Sequence, residues 1–156
     1  MISNSSPLIF LSKIGFLHLL KELFGTVVIP QEVKDEVVVQ GKIGVSVIEE
    51  AIQQGWILVQ QASSLLDLPL GKGETAAITL ARKNGDSLLL DDFRGISTAK
   101  IYGIPVLRTT SILIIAFQKG KISKKELLEG LPRLVEAGYY IHPAEYALLL
   151  SRLQKI

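Results

Sequence analysis

Residues 87–95 read S-L-L-L-D-D-F-R-G. The run from Ser87 to Leu90 is apolar without alternation, which predicts a short strand covered on both faces. Asp91 and Asp92 stop it, and Phe93 to Tyr102 carries helical spacing closed by Gly103. Two adjacent acids at the end of a buried strand are costly unless they are hydrated, cap a helix or bind a metal. One is expected to cap the helix at Phe93 and the other to serve as a ligand. A strand feeding directly into a helix is the unit from which the rest of the fold is read.

The same unit recurs in both directions. Met1 to Ser3 predicts a first strand ending at Asn4. Ser5 or Ser6 then caps a helix with Pro7 in its first turn, and the helix is interrupted near Gly15 and ended by Gly25. Thr26 to Ile29 is β-branched and predicts a second strand, and Pro30 opens a helix with Val33 and Val37 inward. Gly41 and Gly44 punctuate the chain before a helix over Val45 to Gln54, and Trp56 to Val59 predicts a third strand. After an irregular stretch to Pro69, Gly73-Glu74 opens a helix closed by Asn84-Gly85. Ile104 to Leu107 is a fifth strand whose proline suits a sheet edge. The remainder is helical: Ser111 to Phe117, a helix capped by Ser123 in S-K-K-E, and a last helix opened by Pro143. Strands alternating with helices imply a parallel sheet between helical layers, hence an α/β three-layer sandwich. No linker or repeat divides residues 1–156, so one domain is expected, with the helices over about 123–154 packed on it.

Five polar residues then stand out by position. Asn4, Glu36, Glu74 and the pair Asp91-Asp92 each lie on or near the C-terminal side of an apolar run. In an open parallel sheet those strand ends share one edge, where ligands bind. Carboxylates gathered there repel one another, and a divalent cation offsets the repulsion. With no cysteine in the chain, any metal must take oxygen or imidazole ligands. His18 and His142 lack ligand spacing, and the residues by themselves suggest a divalent-metal site without naming the metal. Taken alone, Glu36 reads as part of a solvated helix face with Glu32. Glu74 alone reads as a carboxylate favoured by the helix dipole. G-K-G at 71–73 lacks the length and ending of a phosphate-binding loop.

Composition narrows the class. The apolar fraction of 48% includes no run near the ~20 residues of a membrane span. No membrane association is expected, and a cytoplasmic location is the default. The continuous run Ile112 to Ile115 is too apolar for one helix face and should meet another helix or a second subunit, so a homodimer or higher oligomer is expected. A net charge of +2 is compatible with nucleic acid without arguing for it.

Four ordered signatures resemble those of PIN domains, and more narrowly of the compact prokaryotic branch that includes VapC-like toxins. S-N-S-S-P-L-I at 3–9 resembles the family's opening Asp-Thr-Ser-Pro-Leu-Ile, and I-P-Q-E-V-K-D-E-V at 29–37 its Pro-x-x-Val-x-x-Glu. L-G-K-G-E-T-A-A-I-T-L-A at 70–81 resembles the Gly-x-Gly-Glu-x-x-Ala-Ile helix, and L-L-L-D-D-F-R-G at 88–95 followed by G-I-P-V the Asp-Asp strand end. The resemblance implies strand order 3-2-1-4-5 and a metal-binding quartet of Asn4, Glu36, Glu74 and one or both of Asp91 and Asp92, with Asp92 favoured. It implies an endoribonuclease dependent on Mg²⁺ or Mn²⁺, the toxin of a toxin–antitoxin pair, with RNA and a small antitoxin protein as partners. Ser6, Lys72 and Arg94 would contact RNA. Two departures stand against this. Asn4 replaces the family's opening acid, and Ile96 stands where the branch often has arginine. Because of Asn4, a catalytically weak or inactive RNA-binding or protein-interaction module is the alternative. A small-nucleotide binder of flavodoxin-like architecture is a further reading, opposed by the lack of a glycine-rich fingerprint after the first strand.

Overall fold

The computed structural model describes residues 1–39 and 43–155. Gly41, one of the two glycines read as punctuation, lies outside the described residues. Five parallel strands, β1 (Ile2–Ser3), β2 (Val27–Pro30), β3 (Ile57–Gln60), β4 (Leu88–Leu89) and β5 (Val106–Leu107), form one sheet in the order β3-β2-β1-β4-β5. Ile2 pairs with both Val28 and Leu88, so β1 is central. The chain leaves β1 for one side of the sheet and later returns to the other, so the order reverses between β1 and β4. That reversal opens a crevice at the C-terminal strand ends.

The period-2 pleat divides the apolar side chains between two helical layers. Val27, Ile29, Ile57 and Leu89 face one cluster of buried residues. Ile2, Leu88 and Leu90 face the other. The first cluster lies under α1 (Ser5–Lys13), α2 (His18–Phe24), α3 (Gln31–Val37) and α4 (Val45–Gln53). It continues under α7 (Thr109–Gln118), α8 (Lys124–Glu136) and α9 (Pro143–Gln154), through Leu113, Leu127, Leu131 and Leu153. The second is built from α5 (Lys72–Asn84) and α6 (Phe93–Ile101), with Ala76, Ala77, Leu80 and Ala99 letting those helices sit close to the sheet. This two-sided covering is what the unalternating S-L-L-L run predicts.

Several boundaries differ from the sequence reading for local reasons. Asn4, not Ser5 or Ser6, occupies the N-cap of α1, and its side chain makes no capping bond. The Ser5 hydroxyl turns instead to Glu36. Helix α7 starts at Thr109, two residues early, because the Ser111 hydroxyl accepts the Arg108 backbone N–H at 3.2 Å. The S-K-K-E box forms as read: Ser123 Oγ accepts from Glu126 N, and Glu126 Oε2 from Ser123 N. Ile112 and Leu113 are fully buried and α7 packs on α1, α2 and α8, so this part of the apolar run meets helices of the same chain, whereas Ile114 and Ile115 stay half-buried. No helix among the described residues is long and apolar enough to cross a membrane.

Candidate active site

The end of β1 fixes the first site residue. Asn4 N donates to Leu89 O at 2.9 Å, tying the start of α1 to the neighbouring β4. The Asn4 side chain is 5% exposed, and its Oδ1 has no hydrogen-bond partner. A buried carbonyl oxygen without a donor is unfavourable, and a ligand that accepts it as a partner recovers the loss.

Glu36 projects from the last turn of α3, where its carboxylate accepts the Ser5 hydroxyl. It also lies against Gly73: a Cβ there would meet Glu36 Oε2 at 2.8 Å. Glu74, in the first turn of α5, reaches the start of α6, where a Cβ on Gly95 would stand 3.2 Å from its Oε2. The two glycines are therefore spacers. Each removes a side chain from the path of a carboxylate, which lets α3, α5 and α6 bring their acids to one place.

Asp92 completes the group. It is the N-cap of α6, with Oδ2 accepting Gly95 N at 3.0 Å. The Glu74 pKa is raised above its usual value, first by desolvation, then by the negative charges of Asp92 and Glu36, with Arg94 opposing. So three carboxylates and one guanidinium interact electrostatically. Among the described residues no three acids or imidazoles form a ready-made metal cage. The donor set nevertheless suits Mg²⁺ or Mn²⁺: hard oxygens, an unpartnered carbonyl, and negative charge that Arg94 offsets only in part. Mg²⁺ commonly takes one or two carboxylates and keeps several waters.

Asp91 is placed differently from its neighbour. Its Oδ1 accepts Thr109 N at 2.9 Å and Tyr139 Oη at 2.7 Å, and its Oδ2 accepts Thr109 Oγ1 at 2.6 Å. It fastens the start of α7 and the segment before α9 to the end of β4. Burial, with the Asp91 charge and hydrogen bond, pushes the Tyr139 hydroxyl well above the ordinary phenol range. The one-cap, one-ligand expectation thus takes another form. Asp92 caps a helix and keeps an oxygen for the pocket, whereas Asp91 has both oxygens engaged by protein.

Of the residues expected to contact RNA, Lys72 and Arg94 are exposed, and Arg94 acts on Glu74. Ser6 faces a cleft of about 590 Å³ that opens beside Asp92 and is also bordered by Phe93, Arg108, Tyr140 and His142. The sequence reading took Ser5 as a helix cap and Gly73 as a helix opening, and it assigned no role to Arg108 or Tyr139. The Gly-x-Gly-Glu pattern was a visible signal for Gly73. Thr109 and Tyr139 carried none, because their partner lies 18 and 48 residues away.

Two outcomes follow from this geometry. An acid whose folded pKa is raised stabilises the fold only below its ordinary pKa and opposes it once ionised. Glu74→Gln should therefore raise the metal-free melting temperature by roughly 2 °C at pH 7. The gain should vanish as pH falls through the ordinary carboxylate range, as thermal melts across pH would show. In urea denaturation, Asp91→Ala should cost about 2–4 kcal/mol through three lost bonds to a charged acceptor. Asp92→Ala should cost only about 1 kcal/mol, as a lost helix cap.

Comparison with known proteins agrees with this architecture. A PilT N-terminus domain protein from the hyperthermophilic archaeon Sulfolobus solfataricus P2 superposes with a TM-score of 0.55 at 18% identity. The match covers 90% of this chain and 96% of that one, a likeness of fold. No curated protein matches. The family described as DUF3368, a PIN domain, matches residues 1–155. With that match running through nearly the whole sequence, the chain belongs to the PIN-domain family.

Proposed function

We propose that this protein is a divalent-metal-dependent endoribonuclease acting on single-stranded or looped RNA. PIN domains are commonly nucleases. The observation that carries the reading is the unpartnered, buried Asn4 carbonyl beside Glu74, whose charged form is disfavoured first by burial and then by the negative charges of Asp92 and Glu36. A half-buried Glu74 with the exposed Glu36 and Asp92 beside it gains from a cation that offsets their charge. A bound Mg²⁺ or Mn²⁺ supplies a water of lowered pKa and offsets charge at phosphorus.

The chain's own groups divide the remaining work. Glu74 and Asp92 face the crevice from the starts of α5 and α6. Ser5 fixes the Glu36 carboxylate by hydrogen bonding, and Gly95 N does the same for one oxygen of Asp92. Asn4 offers a neutral oxygen in place of a charged one. Arg94 is placed to meet a phosphate oxygen that approaches the acids. The order of the motifs supports a place among toxin–antitoxin toxins, with a small protein antitoxin as partner.

A second reading, an inactive or weak RNA-binding or protein-interaction module, is favoured by two observations. Asn4 brings no charge, and no three-ligand cage is preformed among the described residues. Cleavage assays separate the two. Purified protein should cut mixed RNA with Mn²⁺ or Mg²⁺ and stop with chelator. Glu74→Gln and Asp92→Asn should each lower the rate ~100-fold or more. Asn4→Asp, by adding a hard anionic ligand, should increase both the cleavage rate and the metal-dependent rise in melting temperature. RNA left intact by wild type and by Asn4→Asp, each with Mn²⁺, would favour the module.

A further inference from the structure

The cleft beside Asp92 is not needed to hold the acidic group, yet it opens directly onto it. Its rim carries two aromatic rings facing solvent. Phe93, the residue after Asp92, is 81% exposed, and Tyr140 is 74% exposed. Exposing such rings forfeits apolar burial. Neither ring packs against another ring among the described residues, whereas Phe10 and Tyr139 nearby pair edge-to-face at 5.3 Å.

Two side chains that carry N–H groups also border the cleft. Arg108 lines it, and its Nε is buried with no hydrogen-bond partner. Among the described residues, the one ion pair of Arg108 is to Glu145, from Nη1 at 3.5 Å, with the Glu145 side chain 54% exposed. That is a long, solvent-facing contact of small worth. His142 Nδ1 accepts Ala144 N at 3.2 Å, which in the neutral ring leaves the proton on Nε2. Flat apolar faces with N–H donors between them fit a nucleotide: a base on the rings, and a phosphate or sugar oxygen on Arg108.

We propose that this cleft is a base-stacking subsite for the nucleotide next to the phosphate held at the acids. The inference rests on the ribonuclease reading, since continuity with Asp92 is what makes the occupant a nucleotide. An aromatic face accepts any base, so the subsite orders a flexible strand without reading its sequence. A duplex, whose bases are already stacked, gains nothing from it.

The test uses short single-stranded RNA carrying one 2-aminopurine, in Ca²⁺, with affinity read by anisotropy and stacking by quenching. Wild type should quench the probe and bind a matching strand with an abasic site at that position about tenfold more weakly. Phe93→Ala should lose the quenching and about tenfold in affinity, and Phe93→Leu should behave like it. Phe93→Trp should retain both. The exposure of Phe93 keeps these variants folded, which equal melting temperatures would verify. Equal binding of intact and abasic strands, with the probe unquenched by wild type, overturns the subsite while the cleavage reading stands, and leaves the rings to a protein partner. Wild type that neither binds nor cleaves RNA overturns both.

Discussion

The gathering of Glu36, Glu74 and Asp92 at the crevice between β1 and β4 is the constraint around which the site is built. Three acids from three different helices meet there, and Glu74 is disfavoured as an anion by burial as well as by its neighbours. Nothing local requires the arrangement. It is assembled by the topology, which brings the starts of α5 and α6 and the last turn of α3 to the same edge. It is also permitted by Gly73 and Gly95, whose missing side chains leave room for the Glu36 and Glu74 carboxylates. The protein tolerates the strain at one edge because the sheet behind it is covered on both faces.

Asp91 and Asp92 show how adjacent residues of one type can take opposite tasks. Leaving a strand, successive side chains point to opposite sides. One aspartate turns toward α7 and Tyr139 and is consumed by three hydrogen bonds. The next turns toward α6, caps it, and keeps an oxygen for the crevice. The first secures the segment bearing Tyr140 and His142, and so forms the wall of the cleft. The second joins the acids. Structure and chemistry are thus linked through a single dipeptide.

Much of the fold was legible in the sequence. The apolar runs at 26–29, 56–59 and 87–90 announced strands, the last covered on both faces and β3 at the sheet edge leaving Leu58 exposed, and the glycines at 25, 85 and 103 marked real helix ends. Strand order came only through family likeness, because periodicity does not say which strands are neighbours. The candidate site was legible as a set of strand-end acids, but their division of labour was not. Whether Asp91 or Asp92 is free depends on Thr109 and Tyr139, and whether Ser5 caps a helix or binds Glu36 depends on where α3 ends. These are long-range facts that no local pattern encodes. The cleft was missed for the same reason: Phe93 and Tyr140 are 47 residues apart and read singly as ordinary surface or core residues.

The claim that the acids are held together to receive a cation is tested most directly by Mn²⁺ binding, followed by electron paramagnetic resonance on purified protein without RNA. The account predicts saturable binding by wild type that is weakened by Asp92→Asn and by Glu74→Gln, and left unchanged by Asp35→Asn on the outer face of α3. Binding that is absent in wild type, or that persists undiminished when both Glu74 and Asp92 are neutralised, would contradict it.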